Sequence, residues 1–208
     1  MKEINLYIFM LFIFLNLFFL KEAITNKILL IGFVFMFLLA LISFILIKLL
    51  KITTFSFSLL LLAIFLHNLG SLFGYYYTSP VFLPWDYVTH IVAMAALTMI
   101  FFNYFNFKKF NSKNIILLVL ILLAVNGMGA LVEINEYLSY IFFGLKDGAF
   151  LFGGADYEKI IITNEVITEI EMHGGGWYDS MDDLLVNLYT SIVTLILCIL
   201  KSKFFSRK

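Results

Sequence analysis

Six apolar runs, each close to the roughly 20 residues that a helix needs to cross a hydrocarbon core of about 30 Å, constrain this chain most. They cover approximately residues 4–20, 28–47, 52–73, 86–105, 115–143 and 183–200. A soluble core has no use for that much apolar surface. Of the 208 residues, 62% are hydrophobic, against roughly 45–50% apolar in an average soluble domain. With only 2 Pro and 12 Gly the chain is neither collagenous nor disordered. The expected fold is therefore all-α, a polytopic membrane protein with a bundle of about six transmembrane helices, forming a single transmembrane domain over residues 1–208.

Charge predicts how the bundle sits. An even number of spans places both termini on one side, and Lys and Arg gather there: Lys2, Lys48, Lys51, Lys108, Lys109, Lys113, Lys201, Lys203, Arg207 and Lys208. The opposite side carries Lys21, Lys27, Lys146 and Lys159. By the positive-inside rule both termini are cytoplasmic and the protein belongs to the inner, cytoplasmic membrane. Acids are distributed the other way, since apart from Glu3 all lie in or near the outer ends of segments. The first run follows Lys2 like a signal peptide, but residues 21–27 contain no small-x-small cleavage site, so a retained helix is expected. Zero net charge and no separate basic region exclude a nucleic-acid footprint. The single Cys198 makes no internal disulfide.

The one long connection, residues 146–178, is rich in Gly, and its centre at 160–170 alternates β-branched residues around a Thr-Asn-Glu break. That pattern predicts an extracytoplasmic β-hairpin. A loop this long in a compact protein usually serves a function, which suggests a lid over the outer mouth.

Polar residues inside the spans carry most of the functional information, because a charge at a helix centre costs about 2.5–3.5 kcal/mol on insertion scales. Asp86 and His90 stand four apart on one helical face. Glu133 and Glu136 stand three apart in the fifth run, and Asp179, Asp183 and Asn187 recur every four residues along one stripe if the sixth helix reaches back to Asp179. At about 1.5 Å per residue, Glu133, Asp86 and Asp183 rise to about 27, 28 and 26 Å above the cytoplasmic boundary, with His67 near 22 Å. Four runs thus bring ionisable groups to one outer level.

The ordinary alternative is that these acids sit in the wet interface, which suits Asp86 and Asp182 better than Glu133 and Glu136, set among Leu131, Ile134 and Leu138. Carboxylates facing one another could not all remain ionised without a cation, so the cluster implies bound protons or a metal. His67, a single His in its span, reads first as a hydrogen-bonded packing element and second as a ligand. Tyr75, Tyr76, Tyr77 and Trp85 read as an interfacial aromatic belt, as do Trp177 and Tyr178. Asn126 with Gly127 and Gly129 reads as a close packing or kink site.

Taken in order, His67-Asn68-Leu69-Gly70, Tyr75 to Tyr77, Asp86-Tyr87-Val88-Thr89-His90, Glu133-Ile134-Asn135-Glu136 and Trp177 to Asp183 with Asn187 resemble the YjdF-like family of predicted inner-membrane proteins. The pattern is more distantly similar to VanZ-like proteins, which carry D-x-x-x-H, E-x-x-Q and D-x-x-x-N in the same order. This resemblance implies the six-helix fold and the same polar residues, and no established biochemical activity. Two departures stand out: Thr190 where the family tends to carry Gly, and a long connection before Trp177.

Three function classes follow. The first is an intramembrane enzyme performing metal-assisted hydrolysis or group transfer on a lipid, lipid-linked or other amphiphilic substrate. Asp86, His90, Glu136 and Asp183 would bind a divalent ion such as Zn²⁺, Mg²⁺ or Mn²⁺, and Glu133 or Asp179 would act as general base. His67 and Asn187 complete the polar site. The second is a proton- or cation-binding transport protein, although no ionisable group lies in the inner half of a span to complete a path. A structural scaffold held by a polar network is the third possibility.

Overall fold

The computed structural model describes residues 2–25, 27–76, 79–105, 112–143 and 167–205. They form six helices: α1 (Lys2–Thr25), α2 (Lys27–Leu46), α3 (Thr54–Phe73), α4 (Trp85–Phe105), α5 (Ser112–Phe143) and α6 (Ile167–Phe205). No strand occurs among the described residues. Five helices contain a stretch long and apolar enough to cross a membrane, at Glu3–Lys21, Thr54–Phe73, Trp85–Phe105, Asn114–Asn135 and Ser180–Ser202. In α2 the described apolar part is the shorter Leu30–Leu46. The chain is a multi-pass membrane protein.

Its surface and interior are inverted relative to a soluble protein. Tyr7, Phe18, Ile116 and Leu131 are between 64% and 68% exposed, while Asn16, Asn68, Glu133, Asp183 and Asn187 are buried. That is the arrangement expected when the solvent is lipid and only neighbouring helices can satisfy a polar group.

Helices α1, α2 and α3 pack on one another, as do α4, α5 and α6, and α3 joins the two groups through α4. Phe9, Phe12, Met36, Phe57, Leu61 and Ile64 make the core of the first group. Phe9 and Phe44 stack with ring centroids 4.6 Å apart. Met94, Phe102, Leu118, Ile121, Val125 and Leu195 make the core of the second. Each group is also tied by a polar bond across helices. Asn68 Nδ2 donates to Asn16 Oδ1 at 2.8 Å between α3 and α1. Asn126 Nδ2 donates to Ser191 Oγ at 2.9 Å between α5 and α6.

The α2–α3 turn is unusual. Ile52 N–H donates to the Ile47 carbonyl at 2.9 Å and Lys51 N–H to that of Lys48 at 3.4 Å, the paired bonds of a Schellman ending. Lys51 takes its left-handed position with φ 51°, where glycine is usual and an L side chain costs about 1–2 kcal/mol. Thr53 then caps α3, its side chain accepting from Ser56 N–H at 3.2 Å. At the other end Gly74, with φ 69°, closes α3 in the same left-handed conformation without that cost.

The connection expected over 146–178 is helical from Ile167 onward, so the second half of the expected hairpin belongs to α6. Its first half and the body of the supposed lid, residues 144–166, lie outside the described residues. Extending an existing helix adds one hydrogen bond per residue with no new nucleus, whereas an isolated two-stranded hairpin is marginal in water. The 39 residues of α6 span about 58 Å. This helix is therefore nearly twice as long as the hydrocarbon core is thick, and it carries the Asp179, Asp183 and Asn187 backbone positions as one stripe.

Candidate metal centre

The site begins at the first turn of α4. Val88 N–H donates to the Pro84 carbonyl at 3.3 Å, so the helix starts directly after Pro84 and puts Asp86 in its first turn. A carboxylate there is favoured by the helix dipole. Trp85 is buried and locks this turn onto α3 by donating from Nε1 to the Leu66 carbonyl at 3.1 Å. Gly70 makes room for it, since a Cβ at that position would run into the Trp85 indole and the Tyr76 ring. Trp85 is thus a packing anchor and not the interfacial belt residue expected from its sequence.

One turn further on, His90 sits among groups from three helices. Its Nε2 lies 3.2 Å from Asp86 Oδ1 on its own helix and 3.6 Å from Glu133 Oε1 on α5. Its Nδ1 is 2.8 Å from Asn187 Oδ1 on α6. Ligand atoms of Asp86, His90 and Asp183 all lie within 4.8 Å of one another. Asp183 is fully buried, and neither of its carboxylate oxygens meets a hydrogen-bond donor among the described residues.

This arrangement has a specific electrostatic character. Since Asn187 Oδ1 is an acceptor, Nδ1 carries the proton, and Nε2 turns toward the carboxylates of Asp86 and Glu133. A lone pair facing carboxylates, with buried oxygens lacking donors, calls for positive charge. A proton on Nε2 supplies one unit, and a divalent cation supplies two. Metal–ligand distances of about 2.0–2.6 Å put ligand atoms on opposite sides of an ion about 4–5 Å apart, which the Asp86, His90 and Asp183 spacing accommodates. A metal-bound histidine normally gives its other N–H to an oxygen acceptor, as His90 does to Asn187.

The structure therefore brings together Asp86, His90, Glu133, Asp183 and Asn187. Glu133, expected as a base, has its Oε1 3.6 Å from His90 Nε2. Asp86 is turned inward with its side chain 14% exposed, against the interfacial reading, whereas Asp182 accepts an exposed bond from Tyr87 OH at 3.4 Å. Glu136 and Asp179 lie on the backbones of α5 and α6, and their side chains lie outside the described residues. His67 stands apart on α3, its Nδ1 2.8 Å from Tyr76 OH, lining the same cavity as Asp86 and His90.

Sequence offers Tyr76 only as part of an aromatic belt; after the left-handed Gly74 its hydroxyl meets His67 Nδ1 on α3. Gly129 is the close-packing glycine expected in α5, because a Cβ there would lie 2.7 Å from Asn187 Nδ2 and 3.2 Å from Met94 Cε. Gly127 has open space beside it.

Residues 4–203 match the family model described as "Predicted membrane protein (DUF2238)". The chain belongs to the DUF2238 family. That membership agrees with the YjdF-like resemblance and gives no support to the VanZ-like one. No curated protein and no solved structure matches the chain.

Proposed function

We propose that this protein is an intramembrane metal-dependent hydrolase or transferase acting on a lipid or lipid-linked amphiphile, with Asp86, His90 and Asp183 holding a divalent ion. The observation that carries the reading is the Asp183 carboxylate, fully buried beside Asp86 and His90 with both oxygens lacking a donor among the described residues. Mixed carboxylate and imidazole ligands suit Zn²⁺ or Mn²⁺. Such an ion would polarise an ester or phosphoester oxygen and lower the pKa of a bound water. Glu133, whose Oε1 lies 3.6 Å from His90 Nε2, would take a proton from that water.

A cavity of about 370 Å³ supports an amphiphilic substrate. His67, Tyr76, Asp86 and His90 line it together with Met36, Leu39, Leu60, Ile64 and Leu97. Leu60 and Leu97 each stand seven residues from His67 and His90, about 10 Å deeper along their helices. A headgroup at the acids and an acyl chain among the leucines match this gradient. Among the described residues α2 and α5 line the cavity without packing on each other, which suits entry from the lipid side. The Lys and Arg bias supports an inner-membrane orientation with both termini cytoplasmic and the acids toward the outer leaflet.

Metal content decides the reading. Protein purified in mild detergent without chelator should carry about one divalent ion per chain by elemental mass spectrometry, lost in Asp183→Asn/His90→Gln, and should release a headgroup or acyl chain from phospholipid or lipid-linked substrates. Metal-free protein, or equal metal in the variant, would overturn it in favour of protons within the cluster.

A further inference from the structure

At the basic end of the bundle, opposite the acid cluster, a second cavity of about 850 Å³ opens between the first turns of α1 and the end of α2. Asn5, Lys48, Lys51 and Thr53 contribute its polar wall; Leu6 and Ile45 are among its apolar wall. We propose that this cavity binds the headgroup of an anionic phospholipid, a phosphodiester bearing a hydroxyl donor such as phosphatidylglycerol.

Three observations carry the assignment. Asn5 is only 3% exposed, lines the cavity, and its Oδ1 meets no donor among the described residues. An acceptor buried this way is satisfied by a headgroup hydroxyl. Lys51 occupies a left-handed backbone position that would be relaxed as glycine, yet it is an ammonium. That ammonium donates to the Tyr104 carbonyl at 3.4 Å and stands 5.8 Å from the Tyr104 ring, so it is held beside the cavity with N–H donors to spare. Lys48, one turn back, lines the same cavity and adds a second positive charge to its wall. Finally, Leu6 and Ile45 are 45% and 67% exposed, so the wall continues into a surface that acyl chains cover. A soluble phosphate ester has no use for it.

The test is native mass spectrometry of the full-length protein in detergent, titrated separately with dioleoyl-phosphatidylglycerol, dioleoyl-phosphatidylcholine and glycerol-3-phosphate. Phosphatidylglycerol should bind at least about tenfold more tightly than phosphatidylcholine, and each of Lys48→Gln and Lys51→Gln should lower its affinity about fivefold, as expected for a basic residue at an anionic lipid surface. Lys51→Gly separates binding from folding: glycine suits the left-handed position, so thermal stability should hold or rise while the lipid preference falls. Asn5→Leu should reduce binding of phosphatidylglycerol and leave phosphatidylcholine unchanged. Equal affinity for both lipids, or a preference that survives the lysine variants, would overturn the proposal. Glycerol-3-phosphate binding as tightly as phosphatidylglycerol would also overturn it, by assigning the cavity to a soluble ligand.

Discussion

His90 shows how a single side chain is shared among helices. Asn187 accepts from its Nδ1 side, and Asp86 and Glu133 face its Nε2. Under the proposed metal assignment, Asn187→Leu should weaken metal binding about ten- to hundredfold without removing a ligand, the usual effect of losing an outer-shell partner. Competition with a chelator measures this; an unchanged affinity would mean that Asn187 serves packing alone. Two nearby glycines offer a paired control. Gly129→Ala pushes on Asn187 and Met94 and should destabilise by about 1–3 kcal/mol. Gly127→Ala meets nothing within 4 Å and should stabilise by up to about 1 kcal/mol. Thermal unfolding in detergent compares them, and equal effects would contradict the packing described.

Between elements, polar bonds stand in for the hydrophobic effect that lipid removes. The Asn16–Asn68 bond joins α1 to α3 deep in the first group. A double-mutant cycle to Leu at both positions should give a coupling of about 0.6 kcal/mol, and no more than about 1.7. Near-zero coupling would leave α1 held by Phe9, Phe12 and Phe19 packing alone. The elements also show where pattern misleads. Five of the six helices begin and end within a few residues of the apolar runs, because each run is bounded by polar or turn residues. The sixth starts sixteen residues earlier than its apolar run at Asp183 and runs on through Gly174–Gly176, which neither hydropathy nor helix propensity foretells.

For the whole molecule, the acid cluster and the basic cavity lie at opposite ends of the bundle. In a Cys198→Ser background, a membrane-impermeant maleimide added to intact cells should label Val81→Cys, exposed in the α3–α4 connection near the acids. Thr53→Cys, exposed at the basic end, should react only after permeabilisation. The reverse pattern would invert the orientation and place the candidate metal centre toward the cytoplasm.

Helix number, the positions of five helices, and the shared level of Asp86, Glu133 and Asp183 were legible in sequence. They depend on hydropathy and on a fixed rise per residue, both local properties. Asp86 with His90 was legible for the same reason, being a single-helix spacing. The pairing of His90 with Asn187, ninety-seven positions away, was not. Nor was the burial of Trp85 against Gly70, or the bond from Tyr76 to His67. Those depend on which face each helix turns toward its neighbours, and with apolar residues on nearly every face the periodicity leaves rotation undetermined. Tertiary packing set the rotations, because a buried carboxylate or amide in a membrane is tolerable only where another helix brings it a partner or where a proton or cation offsets its charge.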